Sequence, residues 1–107
     1  VYIMAETKQE KLGKALIELL GSNNVYFQPP ESIKMDYPCI VYKRSTGKTQ
    51  YANNMPYEYD QKYSVTYIDK EPDSGMVEKI AMAFPKCYYD RSFVYENLNH
   101  DVFSIYY

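Results

Sequence analysis

Cys39 and His100 are the two residues that we consider as a possible nucleophile and a possible proton carrier. Cys39 stands in an apolar stretch, where a thiol stays protonated and unreactive. His100 is the single histidine, and we expect it in a turn over residues 97–100 with a local hydrogen bond. Asp101 follows it, but adjacent side chains of a strand point to opposite faces. The sequence therefore predicts a protein that is not an enzyme, and a small hydrolase using Cys39 or His100 is the enzymatic alternative.

An acidic segment resembles a calcium-binding loop without completing one. Asp69, Glu71 and Asp73 alternate along the chain, as the ligands of an EF-hand do. The sixth and twelfth positions of that loop require glycine and glutamate, and here they are Ser74 and Ile80. We interpret the acidic segment as a turn that leads into a helix, where negative charge is favourable.

Neither a phosphate loop nor a zinc site is predicted. Residues 47–49 match the end of a phosphate-binding loop, but Tyr42 occupies the place of its upstream glycine. Cys39 and Cys87 are not spaced to form a zinc site with His100, and we predict that both are free, buried thiols. The sequence thus predicts no metal and no cofactor.

A small basic cluster suggests a DNA-binding module as an alternative of a different class. Lys43, Arg44 and Lys48 stand near Tyr42 and Tyr51, and surfaces with basic and aromatic side chains can bind single strands. The chain nevertheless has a net charge of -2 and a pI of about 5.3. We therefore expect no specific nucleic-acid binding and interpret these residues as a solvated hairpin end.

Tyrosine is the unusual feature of the composition. The chain has 14 tyrosines and no tryptophan, and tyrosine suits strand faces and partly hydrated protein interfaces. Residues 45–56 are polar and rich in turn formers, so we predict a long connection there. Beside it we place a protein-contact site, where charge substitutions should weaken assembly without unfolding the monomer: Tyr51, Met55, Tyr57 and Tyr59.

Periodicity predicts the elements that position these residues. An apolar stripe with helical spacing and a following Gly21 indicate a helix over residues 9–20. Tyrosine and valine alternate with polar residues over 57–68, which is typical of a strand with one buried face. A second helix, capped by Asp73 or Ser74, ends at Pro85. The remaining predicted strands are residues 25–27, 39–44, 87–95 and 101–107.

These elements predict one α+β domain over residues 1–107, in the order α-β-β-β-α-β-β. We expect a mostly antiparallel sheet with both helices packed on one face. Strands 39–44 and 57–68 should form a long antiparallel hairpin. No apolar run approaches the ~20 residues of a membrane span, and residues 1–7 lack the pattern of a signal peptide. The sequence thus predicts a cytoplasmic protein.

Three segments resemble a known group of proteins. They are residues 37–44 (YPCIVYKR), 63–74 (YSVTYIDKEPDS) and 97–103 (NLNHDVF). Their order and spacing are similar to those of small proteins from the head-tail module of siphophages and their prophages, described as tail-completion, tail-terminator or minor structural proteins. The resemblance extends from about Leu12 to Tyr107 and is weaker in both helices.

The resemblance implies a virion structural protein that is assembled in the cytoplasm of the bacterial host. Tail terminators of this kind are α+β proteins that close into a ring, usually a hexamer, on the end of the tail tube. The ring stops tube polymerisation and joins the tail to the head, so the implied partners are the tube protein, the head-connector proteins and further copies of the chain. A head-closure or adaptor protein of the neck is the alternative within the same machinery.

Overall fold

A computed structural model of the chain describes residues 7–30, 33–52 and 55–107, and for residues 47–52 and 56–60 it describes the backbone alone. The chain has the predicted α+β class and the predicted order of elements. At 13 and 8 residues, both described helices fall short of the length that a membrane span requires. The elements are α1 (Lys8–Leu20), β1 (Val25–Phe27), β2 (Cys39–Ala52), β3 (Met55–Asp69), α2 (Met76–Ala83), β4 (Cys87–Tyr95) and β5 (Leu98–Tyr106).

Helix α1 begins and ends where its capping residues require. The Thr7 hydroxyl accepts a hydrogen bond from the Glu10 N–H at 3.2 Å. Gly21 ends the helix with a φ of 78°, and its N–H donates to the Ile17 carbonyl at 2.9 Å. The apolar stripe faces the sheet, with Leu12 and Leu16 fully buried. The predicted helix is therefore confirmed.

Helix α2 begins later in the chain than its predicted N-cap residues, Asp73 or Ser74, would place it. Its N-cap is Gly75, so the assignment to Asp73 or Ser74 was wrong. The Ser74 hydroxyl still accepts the Met76 N–H at 3.2 Å, because a serine just outside the helix can reach an orphan donor of its first turn. Phe84 leaves the helix with extended backbone angles, as expected for a residue before proline.

The five strands form one sheet in the order β1-β2-β3-β5-β4. The short β1 runs parallel to β2, and the other pairs are antiparallel. Both helices pack on one face, which we name the helix face, and the opposite face is named the open face. The core on the helix face joins Leu12, Leu16 and Ile80 to side chains of three adjacent strands: Ile40, Tyr42, Tyr63, Val65, Tyr67, Phe103 and Ile105.

The long hairpin of β2 and β3 is confirmed, but it extends further than predicted. Residues 45–52 continue β2, so the prediction of a polar connection over residues 45–56 was wrong. Pairing with β3 makes this polar segment a strand, because alternate residues gain cross-strand hydrogen bonds that local propensity does not predict. Pro56 is tolerated opposite Tyr51, next to a shift in register between Gln50 and Tyr51.

His100 lies in a strand and not in the predicted turn. Strand β5 begins at Leu98, and the turn before it consists of Glu96 and Asn97. Both turn residues have positive φ, 51° and 63°, as two-residue hairpin turns of the primed type require. The turn is therefore shorter than the predicted residues 97–100, and β5 is longer.

Candidate functional site

The β2–β3 hairpin extends beyond the rest of the sheet. Strand β1 pairs with β2 only from Ile40 to Tyr42, and β5 pairs with β3 only from Lys62 to Asp69. We name residues 45–52 and 55–61 the arm. Within the described part of the chain, the arm has no third strand on either side. Because no described strand pairs with its outer edges, the arm can offer the outward backbone groups of residues 47–52 and 55–60 to another chain. A two-stranded hairpin is also marginally stable in water by itself.

All four predicted contact residues belong to the arm. Tyr51 and Met55 stand at its tip, where Tyr51 pairs with Pro56, and Tyr59 pairs with Thr49 further down. The Met55 side chain is 68% exposed. The side chains of Tyr51, Tyr57 and Tyr59 lie outside what the structure describes. At ~3.3 Å per residue, Met55 lies about 20 Å along the strand from the point where β5 joins β3.

A buried glutamine holds the base of the arm. Gln61 is 7% exposed, and its Nε2 donates to the carbonyls of Ser45 and Thr46, each at 3.1 Å. The register of β2 against β3 shifts at this point, between Arg44 and Gly47. Because the glutamine amide bonds the carbonyls that this irregularity leaves without ladder partners, it fixes the direction in which the arm leaves the sheet.

The basic residues do not share one surface. Arg44 pairs with Tyr63 of the helix face, whereas Lys43 pairs with Ser64 of the open face. Both are exposed, but neighbouring strand residues point to opposite sides of a sheet. The side chain of Lys48 lies outside the described set. The described basic side chains therefore do not form the continuous groove that tracks a nucleic-acid backbone.

The candidate catalytic residues are separated and engaged elsewhere. Cys39 is fully buried, and burial raises the pKa of its thiol to about 11. His100 Nδ1 lies 3.0 Å from the Leu98 carbonyl, and its ring stacks on Phe93 at 4.6 Å. Ile68 pairs with both Cys39 and His100, so these two residues are two strands, ~10 Å, apart. They cannot act as a nucleophile and base pair across that distance.

Both cysteines are free thiols, as the sequence predicts. Cys39 is in β2 and Cys87 is in β4, with β3 and β5 between them. Cys87 is partly exposed, so the prediction of a buried thiol was wrong at this position, although its partial burial still raises the pKa of the thiol. Among the described residues, no three side chains of histidine, cysteine, aspartate or glutamate are grouped so that they could hold a metal ion.

The acidic segment forms a turn, as interpreted, and it also belongs to a hydrogen-bond network that the sequence did not indicate. Asp69 accepts the Glu71 N–H at 3.2 Å and the Tyr67 hydroxyl at 2.6 Å. The Tyr67 hydroxyl also lies 3.2 Å from the Ser74 hydroxyl. Burial, and then the hydrogen bond to Asp69, raise the pKa of Tyr67 to about 12. Alternation predicted a buried Tyr67, but not the residues that surround its hydroxyl.

This network predicts that stability falls at alkaline pH. The ordinary pKa of tyrosine is 10, so the unfolded chain loses the Tyr67 proton while the folded chain keeps it until about pH 12. The contribution of Tyr67 is therefore complete below pH 10 and lost between pH 10 and 12, at roughly 2–3 kcal/mol. Urea unfolding across this range should show a shallower decline for Tyr67→Phe. Tyr88→Phe, at a 59% exposed position, should keep the wild-type slope. Equal slopes for all three proteins would contradict this prediction.

A second surface, strand β4, was not identified from the sequence. It lies at the end of the sheet, and five of its nine side chains are large, apolar and more than 40% exposed: Tyr88, Tyr89, Phe93, Val94 and Tyr95. Apolar residues occupy both odd and even positions of this segment, unlike the alternation in β3. This pattern is the one feature of the sequence that could have indicated an exposed edge strand.

No protein-family model matches the chain, and a search of curated proteins finds no significant relative. The features of this chain that bear on its function are therefore the geometry of the arm and the three sequence segments with a resemblance.

Proposed function

We propose that this chain is a structural assembly protein of a long-tailed bacteriophage or prophage, acting as a tail terminator or tail-completion subunit. It would cap the tail tube as a ring and join the tail to the head, in a virion assembled in the host cytoplasm. The observation that carries the proposal is the arm, which extends from a small α+β core and has no third strand beside residues 47–52 and 55–60 among the described residues. The side-chain chemistry described above serves packing and hydrogen bonding.

The segments with a resemblance support the proposal by their place in the sheet. Residues 37–44 lead into β2 and form its start. Residues 63–74 form the end of β3 and the following turn, and residues 97–103 contain the start of β5. Strands β2, β3 and β5 are adjacent. The resemblance therefore concerns one contiguous part of the fold, which borders the base of the arm.

A ring requires that one surface of each subunit bind a different surface of the next. The arm suits this role because its edges can add a strand of the neighbouring subunit, and because burial against that neighbour stabilises a hairpin that is marginal alone. A hexamer closed by six such arms has one tube-facing and one head-facing side. Its tube-facing side occupies the site where the next tube ring would add, which stops polymerisation.

The proposal is tested with purified tail tubes and purified portal complexes. We expect the chain to bind tube ends and to form a ring there, measured by pelleting with tubes and by light scattering coupled to size exclusion. Binding to portal complexes without binding to tubes would contradict the terminator role and favour a head-closure or adaptor protein of the neck. Binding to neither would contradict both.

Charge placed at the tip of the arm should weaken assembly without unfolding the monomer. Met55→Asp puts a carboxylate at a 68% exposed position that the ring would bury, so we expect at least about a tenfold loss of tube-dependent assembly. The free energy of unfolding should change by no more than about 0.5 kcal/mol, as for other exposed positions.

Met82→Asp is the matched control. It changes the same residue type at an 81% exposed position on α2, away from the arm, and should leave assembly unchanged. A loss of stability above ~2 kcal/mol for Met55→Asp would identify Met55 as a core residue. Equal loss of assembly in both variants would contradict the assignment of the contact to the arm.

A further inference from the structure

Strand β4 has one free edge. Its described neighbour in the sheet is β5 alone, and the other edge of the strand faces no described strand. Unpaired N–H and C=O groups along such an edge form a template for another strand. The exposed aromatic side chains of β4 add apolar area to that template.

The direction of each backbone group along β4 follows from two observations. The Tyr106 N–H donates to the Lys86 carbonyl at 3.0 Å, so alternation directs the groups of Tyr88 towards β5 and those of Cys87 and Tyr89 outwards. At the other end, a two-residue turn closes on the pair Tyr95 and Leu98. The same alternation then directs the groups of two further residues outwards: Ser92 and Val94.

A bulge makes this pattern symmetric. The register of β4 against β5 shifts between Tyr89 and Arg91, which leaves Asp90 as the extra residue. The outward-facing residues are consequently odd-numbered before the bulge and even-numbered after it. They are placed symmetrically about the midpoint between Asp90 and Arg91, with residue 89 matching 92 and residue 87 matching 94.

We propose that β4 pairs antiparallel with β4 of a second copy of this chain, about a two-fold axis between Asp90 and Arg91. In that register the outward groups of Tyr89 meet those of Ser92 of the second copy, and the outward groups of Cys87 meet those of Val94. The two sheets become one continuous sheet of ten strands. This contact is separate from the arm and does not depend on the function proposed above.

The side-chain faces agree with the same register. Tyr88 pairs with Ser104 and Phe93 with His100, and both lie on the open face, so they meet across the axis as an aromatic pair. Tyr89 and Ser92 lie on the helix face, opposite Phe103 and Asp101. Without the bulge, one side chain of each pair would lie on the wrong face.

Charge also selects this register and this partner. Asp90 and Arg91 form an exposed ion pair at 3.1 Å within one chain. Across the axis, Asp90 faces Arg91 of the second copy and Arg91 faces Asp90, so four charges alternate in sign. Opposite charges directly across a strand pair are favourable, and like charges are not. A charged bulge disfavours most other strands at this edge, whereas a second copy of β4 complements it.

A charge-reversal experiment tests the register. Asp90→Arg and Arg91→Asp each place like charges across the axis, so each variant should dimerise about tenfold or more weakly than the wild type. An equimolar mixture of the two variants restores opposite charges and should form a heterodimer with near wild-type affinity. Analytical ultracentrifugation measures all four cases, and circular dichroism checks that each variant is folded. A wild-type chain that stays monomeric up to about 1 mM, or a mixture no tighter than its components, would overturn the proposal.

Backbone readouts test the same pairing without changing charge. Ser92→Pro removes an outward N–H and should abolish the dimer while the β4–β5 ladder remains, whereas Ser92→Ala should dimerise normally. In the wild type, the amides of Tyr89, Ser92 and Val94 should gain hydrogen-exchange protection as protein concentration rises. The amides of Tyr88 and Phe93, which face β5, should be protected at every concentration. Exchange at Tyr89, Ser92 and Val94 that does not depend on protein concentration would also overturn the proposal. A dimer unaffected by Ser92→Pro would do the same.

Discussion

Replacing Phe103 with alanine should lower the free energy of unfolding by about 3–5 kcal/mol. The Phe103 ring is fully buried on the helix face, in the cluster that joins both helices to the sheet. It lies on β5 between Val65 of β3 and Tyr89 of β4, and its centroid is 5.3 Å from that of Tyr89 in an edge-to-face contact. Alanine leaves a cavity that the rigid strands on both sides cannot close, so transfer and packing energy are both lost.

Phe93→Ala is the matched control for this prediction. Phe93 is the same residue type on the neighbouring strand, but it is 43% exposed and lies on the open face. We expect it to cost less than about 1.5 kcal/mol, including its stacking on His100. Urea unfolding of both variants measures the difference. Equal costs would mean that the helix face does not carry the core.

Gly13→Ala should destabilise the fold by about 1–3 kcal/mol, although alanine is the better helix former. A β-carbon added at Gly13 would lie 2.5 Å from the Tyr42 hydroxyl oxygen. That hydroxyl donates to the Gln9 carbonyl at 3.2 Å and accepts from the Gln9 side chain at 2.8 Å. The side chain of Tyr42, a residue of β2, is buried beneath α1. Its ring therefore cannot move away from Gly13 without breaking these hydrogen bonds.

A second substitution should reverse the sign of that effect. In a Tyr42→Phe background the clashing oxygen is gone, and the ring carbon that carried it lies 3.5 Å from the added β-carbon, which is ordinary contact. Tyr42→Phe alone should cost about 1 kcal/mol for its hydrogen bonds. Adding Gly13→Ala to it should then be neutral or stabilise by up to about 1 kcal/mol.

Chemical denaturation of the wild type, both single variants and the double variant forms a complete double-mutant cycle. The expected coupling free energy is ~2 kcal/mol and favours the double variant. Additive effects would contradict the assignment of the cost to the close approach of Gly13 and Tyr42. A wild-type-like Gly13→Ala variant would show that α1 can shift away from the sheet.

Local patterns predicted the elements because the information for them is local. The stripe of α1 and the alternation of β3 each follow from a few neighbouring residues, and burial of Leu12, Leu16, Tyr63 and Tyr67 agrees with both. The free state of the two cysteines was also predicted. The class and the order of elements follow from these patterns together.

The errors occurred where the hydrogen-bond partners belong to another strand. Residues 45–52 read as a connection because turn formers dominate them, yet pairing with β3 makes them a strand. His100 read as a turn residue because Asn97 and Asn99 flank it, yet pairing with β3 and β4 extends β5 to Leu98. The four predicted contact residues belong to a projecting hairpin, which the sequence did not indicate, and their role in a subunit contact stays a prediction.

The sequence by itself determined the fold class, the order of the elements and the inward-facing side chains of α1 and β3, since period and polarity follow from a short window of chain. The tertiary structure alone decided how far the arm projects, why Gly13 must lack a side chain, and which groups of β4 face outwards past the bulge at Asp90. Each of these depends on the spacing or register between two different segments, and neither the propensity nor the composition of one segment contains that information.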